Sequence, residues 1–256
     1  MIGLQCYGSA NSMRKLFVEK IAPFLKITQE EHKHLATVLR AKAGDSITVC
    51  CGDGYDYCYK IDSITKNETI LAQQSKAKNI SEPKIQLTLF SAICKSDKNE
   101  TIARTCTELG VSFIQPFTSE FTQTKKESYK HERIQKIAHE AAKQSGRGKV
   151  PKIYEPIAFI DIIKQLQNQF DLVVFAFESA KENGIKSYLR NKFTNSKEIQ
   201  TVAAVIGSEG GFSKEEASAL ENIGAVPLSL GKRILRADTA CTVVIAAILY
   251  EAGEMV

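Results

Sequence analysis

Apolar positions along the chain fall into two rhythms. In Ser46–Cys50 and again in Tyr55–Ile61 they alternate with polar ones, the period-two pattern of half-buried strands. Gly52-Asp53-Gly54 between these runs predicts a hairpin turn, with glycines where positive φ is needed. Glu68 to Gln73 is a further strand able to pair beside them. Ahead of the hairpin, Thr28-Gln29-Glu30-Glu31 has the spacing of a capping box, in which the Thr28 hydroxyl holds the third helical N–H and Glu31 reaches back. That predicts a helix running through His34 to Leu39. Gln74 to Pro83 is polar and ends in proline, the composition of a linker.

From Lys84 the rhythm changes to near-continuous apolar runs separated by helical segments. Ile85–Phe90, Val111–Ile114, Asp171–Phe177 and Thr201–Ile206 are such runs; Asp97-x-x-Glu100 starts a helix that Gly110 stops. Glu127 to Gln144 and Ile157 to Gln169 are further helices. Continuous apolar strands between helices imply a mostly parallel sheet covered on both faces, so the expectation is an α/β domain behind a small β-rich one.

Composition adds exclusions. With 256 residues and 43% hydrophobic content there is material for two modest domains. The longest apolar run, Thr242 to Tyr250, is far below the ~20 residues of a membrane span, and the N-terminus carries no signal-peptide apolar region, so a cytoplasmic protein without a membrane partner is expected. Seven cysteines lack a CxxC pair, which points to free thiols. His32 and His34 face different sides of a helix, and no metal site is expected. The net charge of +5 is unevenly spread: Phe121–Lys152 carries nine Lys or Arg against three acids, and Arg14–Lys42 seven against three. Such tracts are either solvated helix faces or a polyanion track.

The candidate chemistry lies near the C-terminus. Ala204-Val205-Ile206-Gly207-Ser208-Glu209-Gly210-Gly211-Phe212-Ser213 leads from an apolar strand through a glycine-rich loop into Ser213-Lys214-Glu215-Glu216, a second capping box. The glycine spacing fits neither the Walker A loop nor the dinucleotide fingerprint, and Glu209 would repel a pyrophosphate. About twenty residues on, Ala225–Leu230 is another strand, followed by Gly231-Lys232-Arg233-Ile234-Leu235-Arg236-Ala237-Asp238-Thr239-Ala240 and an apolar helix that Asp238 or Thr239 is placed to cap. Two consecutive strand-loop-helix units put both loops at one edge of the sheet, where α/β ligands bind.

These two loops together resemble the paired signature of the 16S ribosomal RNA (uracil-N3)-methyltransferases, members of the SPOUT class. The resemblance extends to His34-Leu35-x-x-Val38-Leu39-Arg40, Gly44-Asp45, Thr107-Glu108-Leu109-Gly110-Val111 and Gln144-Ser145-Gly146-Arg147-x-x-Val150-Pro151, and so covers nearly the whole chain. Ser208 stands where the family commonly has proline, and Asp238 where it commonly has glutamate. The resemblance implies a PUA-like β-barrel RNA-binding domain at 13–78 and a trefoil-knotted SPOUT α/β domain at 84–256, with 1–12 as an N-terminal extension. It implies a homodimer that uses S-adenosyl-L-methionine to methylate uracil N3 in 16S rRNA of the small ribosomal subunit, at position 1498. The alternatives are a non-catalytic RNA-binding protein on this fold or a SPOUT enzyme acting on another RNA nucleotide.

On that resemblance the cofactor site comprises Gly207, Glu209, Gly210, Gly211, Leu230, Gly231, Ile234, Leu235, Arg236, Thr239 and Ala240, with main-chain groups of Leu230, Ile234 and Leu235 on the adenine and ribose. Arg236 and Asp238 are the candidate catalytic residues. Arg236 either stabilises charge building on uracil or forms an ion pair with Glu209 or Asp238 that holds the loops. Arg14, Arg40, Lys143, Arg147 and Lys149 are the candidate RNA contacts, Arg147 foremost.

Overall fold

A computed structural model describes residues 15–180, 183–195 and 199–255. They form two compact units, one reaching to Glu82 and including Ala142–Val150, the other made of Pro83–Ala141 and the chain from Pro151 onward.

The first unit contains β1 (Lys15–Phe17), β2 (Phe24–Ile27), α1 (Gln29–Lys33) continued by a π-helical turn at His34–Val38, β3 (Ser46–Cys50), β4 (Tyr55–Ile64) and β5 (Thr69–Lys78). The sheet order is β1-β3-β4-β5-β2, with β1 parallel to β3 and the other pairings antiparallel. Alternation in β3 and β4 sends Ile47, Val49, Tyr57, Tyr59 and Ile61 into a core with Leu16, Leu35 and Leu71. The expected hairpin is present. The Thr28 capping box is not: the Thr28 side chain makes no cap bond, Gln29 adopts φ +55°, and the Glu31 carboxylate is drawn to Lys143 at 2.7 Å. The expected linker is shorter than its composition suggests, because Gln74–Lys78 completes β5 with exposed side chains. Polar residues suit a strand end that buries nothing.

The second unit contains β6 (Gln86–Ala92), α2 (Ser96–Leu109), β7 (Phe113–Thr118), α3 (His131–Gln144, its last turn belonging to the first unit), β8 (Lys152–Ile153), β9 (Ile157–Ala158) and α4 (Phe159–Leu166). Then follow β10 (Leu172–Ala176), α5 (Ile185–Asn195), β11 (Thr201–Ile206), α6 (Lys214–Asn222), β12 (Val226–Leu228) and α7 (Ala237–Glu251). All pairings in the sheet are parallel, in the order β12-β10-β11-β6-β7-β8, and β9 extends the β7 edge. On β11, Val202, Ala204 and Ile206 point into one core with α2 and α7, while Ala203 and Val205 point into another with α4 and α6. Burial on both faces is why these strands read as unbroken apolar runs. From β6 the chain builds outward to β7 and β8, then returns to lay β11, β10 and β12 on the other side. The edge where that reversal occurs is where a crevice forms in such sheets.

Candidate functional site

Three parallel strands end together at this edge. β11 ends at Ile206, and Ser208 to Gly211 then close a tight turn in which the Gly211 N–H donates to the Ser208 carbonyl at 2.9 Å. Gly207 is required by close approach: a Cβ there would lie 2.9 Å from the Gly211 carbonyl carbon. The exit of the loop is fixed by the Ser213 box, which forms as the sequence predicts. The Ser213 hydroxyl accepts from Glu216 N at 3.2 Å, and Glu216 accepts from Ser213 N at 3.1 Å. The second Glu216 oxygen accepts from Glu120 N at 2.8 Å, tying the β7 exit to the same helix start.

The loop after β12 is held from the side. Ser229 donates its N–H to Asn183 O at 2.8 Å and accepts from Ile185 N at 3.1 Å, while Phe177 N donates to Leu228 O at 3.0 Å. Gly231 takes φ +110°, turning the chain outward so that Lys232, Arg233 and Ile234 are exposed, Ile234 to 88%. α7 starts at Ala237, two residues earlier than an Asp238 cap would place it. Arg236, with extended backbone, is the N-cap, so Asp238 and Thr239 sit inside the first turn instead of capping it. From there α7 runs buried beside α2, with Thr242 and Thr105 hydroxyls 3.1 Å apart.

The two loops and the end of β10 enclose a cleft of about 400 Å³. Gly207, Glu209, Gly210, Gly211, Leu230, Gly231, Ile234, Leu235 and Ala240 line it. Arg236, Asp238 and Thr239 stand on the first turn of α7 beside the lining residues Ala237 and Ala240. Ala176, Phe177 and Glu178 form a third wall that carries no glycine or charge motif in the sequence. The size suits a small-molecule ligand, and the lining mixes glycines and apolar side chains with Glu178, Ser208, Glu209, Ser229, Lys232 and Arg233. Two buried oxygens here have no hydrogen-bond partner among the described residues, Ser208 Oγ and Asp238 Oδ1.

Lys98, near the start of α2, supplies the partner of Glu209: its Nζ lies 2.7 Å from Glu209 Oε1. The start of α2 is itself fixed, because Asn99 accepts from Cys94 N at 3.0 Å and donates to Cys94 O at 2.6 Å. Partial burial pushes the Glu209 carboxyl upward, but the Lys98 ammonium and nearby main-chain N–H groups outweigh it and hold the carboxyl below its ordinary value. The same hydrogen bond raises Lys98. Arg236 is exposed and makes no ion pair among the described residues, so the expected alternative of a loop-holding bridge to Glu209 or Asp238 is not the geometry found. Burial raises the thiols of Cys94, Cys106 and Cys241 around this site, Cys106 to about 12, which makes them inert packing groups.

The candidate RNA contacts separate into three groups. Arg14 lies outside the described residues. Arg40 and Lys149 are exposed. Lys143 and Arg147 are buried, to 7% and 2% exposure: Lys143 is paired with Glu31, and Arg147 donates through Nε and Nη2 to the two Glu82 oxygens at 3.2 and 2.8 Å. These two are corrected from phosphate contacts to structural ions, because a buried guanidinium with a bidentate carboxylate has no face left for phosphate. His32 is likewise satisfied, by Thr69 Oγ1 at 2.9 Å and Lys66 O at 3.2 Å.

Residues 81–249 match the family model of the RNA methyltransferase domain, and residues 27–71 that of the RNA methyltransferase PUA domain. The Bacillus subtilis ribosomal RNA small subunit methyltransferase E is 31% identical over 249 residues, 93% of this chain and 97% of that protein. The Mesomycoplasma hyopneumoniae protein of the same name is 33% identical over 89% of this chain and 95% of its own. A Legionella pneumophila protein described as a methyltransferase, solved in complex with the cofactor SAM, superposes with a TM-score of 0.81 at 26% identity, covering 92% of this chain and 96% of that one. A Neisseria gonorrhoeae small subunit methyltransferase E has the same fold, with a TM-score of 0.80 at 22% identity over 93% of this chain and 97% of its own.

Proposed function

The chain belongs to the RNA methyltransferase family whose PUA and catalytic domains it carries in order, and from that premise we propose that it methylates N3 of a uracil in 16S ribosomal RNA with S-adenosylmethionine. The observation that carries this is the cleft at the ends of β10, β11 and β12, walled by main chain from two loops. A glycine loop so tight that a Cβ at Gly207 would strike the Gly211 backbone, and a buried Ser208 hydroxyl lacking a partner among the described residues, suit a hydrogen-bonding cofactor. When bound, S-adenosylmethionine supplies an electrophilic methyl group on a sulfonium centre.

The chain's own residues then do three things. Main-chain groups of Leu230, Ile234 and Leu235 hold the adenine and ribose side, and Gly207, Gly210 and Gly211 let backbone come close. Fixing two reactants in near-attack geometry is worth roughly 7–11 kcal/mol in favourable cases, which a pre-formed backbone cradle is suited to supply. Arg236, exposed between the lining residues Leu235 and Ala237 and without an ion pair among the described residues, stabilises negative charge on uracil O2 or O4 as N3 loses its proton. Asp238 keeps one carboxylate oxygen without a donor and is the acceptor suited to that proton. Glu209 acts through its pair with Lys98, which anchors the glycine loop to α2.

In this reading the PUA-like domain, 13–78, which lies in the first unit, grips RNA, and 84–256 is the methyltransferase domain, apart from Ala142–Val150, which pack with the first unit. A homodimer is supported by the outward stripe of α7, where Thr239, Val243, Ala246 and Tyr250 lie one or two turns apart without charge, Tyr250 being exposed. Calorimetric titration with S-adenosylmethionine tests the cofactor assignment. One site per chain is expected, and absence of binding would favour a non-catalytic RNA-binding protein. No helix among the described residues is long and apolar enough to cross a membrane.

A further inference from the structure

The β3–β4 hairpin presents two unlike faces near its turn. On one, Asp56 closes a buried network: it takes Lys15 Nζ at 3.0 Å and Asn79 Nδ2 at 2.9 Å, and Lys15 also donates to Gly146 O at 2.7 Å. The other face is set by register. Tyr55 pairs across the ladder with Lys78, and Tyr57 with Lys76, so the four side chains share one side of the sheet; Tyr57 is buried in the core there, and Tyr55 is the ring left open. The Tyr55 and Tyr57 rings lie 6.5 Å apart, and Lys76 Nζ sits 4.8 Å from the Tyr55 ring centroid. Tyr55 is 39% exposed, Lys76 and Lys78 are exposed, and exposed Lys149 reaches the neighbouring turn, its Cγ 4.0 Å from where a Gly52 Cβ would stand. The carboxylate on this side, Asp53, is already engaged, accepting from Tyr57 OH at 2.6 Å and Tyr55 N at 3.1 Å.

We propose that this face is a single-stranded RNA platform, on which an unpaired base stacks against Tyr55 while Lys76, Lys78 and Lys149 take the flanking phosphates. A sheet that offers an aromatic ring amid lysines, with its one nearby acid committed, is complementary in both charge and shape to a splayed nucleotide. A protein partner would need an apolar centre to the patch, which these residues do not provide. The platform rests on the rRNA reading above and adds a place where RNA outside the target uridine is held. It also explains how the first unit retains a cationic face when Lys143 and Arg147 are spent on internal carboxylates.

The test uses the full chain with a small-subunit rRNA fragment and an unstructured uridine-containing oligonucleotide as probes. Tyr55→Ala is expected to raise the Kd for both by about tenfold and Tyr55→Phe by less than about twofold, since stacking survives in phenylalanine. Lys76→Ala and Lys78→Ala lower the slope of log Kd against log salt by about 0.7 each. Photocrosslinking with 5-iodouridine in the oligonucleotide should mark Tyr55, with S-adenosylmethionine affinity and thermal stability unchanged in every variant. Tyr55→Ala binding at wild-type strength, or crosslinks confined to other residues, overturns the platform even if the enzyme methylates rRNA normally. Wild-type protein that crosslinks at Tyr55 yet transfers no methyl group would instead overturn the proposed reaction and leave the platform standing.

Discussion

Residues 142–150 and 229–236 are both short basic stretches that contain glycine, yet the fold treats them as opposites. In the first, Arg147 and Lys143 are buried on Glu82 and Glu31, and Ser81 Oγ and Lys15 Nζ both donate to the Gly146 carbonyl, at 2.8 and 2.7 Å. In the second, Lys232, Arg233 and Arg236 remain exposed at the edge of a cleft of about 400 Å³. The difference is the supply of carboxylates. Glu82 also accepts from Gly148 N at 2.9 Å and Lys149 N at 3.1 Å, so one partly buried acid organises the whole 147–149 turn. Near 229–236 the nearest acid in the other loop, Glu209, is taken by Lys98. Lys143 and Arg147 of the first stretch are taken up by carboxylates, whereas Lys232, Arg233 and Arg236 make no ion pair among the described residues.

The contrast breaks most visibly at Arg147. Arg147→Ala leaves Glu82 partly buried without its counter-ion and is expected to cost about 3–5 kcal/mol in urea unfolding, with methyl transfer by the remaining folded protein little changed. Arg236→Ala should do the reverse. As an exposed side chain it changes stability by less than about 0.5 kcal/mol, while kcat falls by about 10²–10³-fold, measured with S-adenosylmethionine and rRNA at saturation. Gly207→Ala sharpens the account of the cleft wall: forcing a methyl against Gly211 costs about 1–3 kcal/mol, expected as a roughly tenfold weaker S-adenosylmethionine affinity by calorimetry.

The smallest effect is at Lys98. Lys98→Met removes a partly exposed pair worth about 0.5 kcal/mol of stability, so the readout is cofactor affinity as a function of pH. Glu209 is lowered by the pair, so its contribution is complete above the ordinary carboxyl value of 4.5 and fades as pH falls through the lowered one. Lys98 is raised, so its contribution is complete below 10.5 and fades only above the raised value. The wild-type advantage over Lys98→Met should therefore be flat across neutral pH and shrink in acid. An advantage that changes between about pH 6 and 9 would assign the effect to another group.

How far the fold was legible depends on how local its causes are. β11 and the Ser213 box are written in adjacent residues, and both appear where the pattern places them. The Thr28 box has equally good spacing and fails because Glu31 finds Lys143, 112 residues away in sequence. Arg147 reads as a phosphate contact in the sequence for the same reason, since its partner Glu82 lies 65 residues upstream. The polar end of β5 and the mildly amphipathic α5 gave no strong periodicity, and the β10 wall of the cleft carries no motif. The partner of Glu209 was hidden too, because α2 meets the glycine loop only in three dimensions.

Mass mapping of small-subunit rRNA, before and after incubation with the full chain and S-adenosylmethionine, tests the central claim most directly. The account predicts one added methyl group, on N3 of a single uridine in 16S rRNA, absent when Arg236→Ala replaces the wild type at matched time. An rRNA that gains no methyl group from protein shown to bind S-adenosylmethionine, or gains it on another atom, would contradict it.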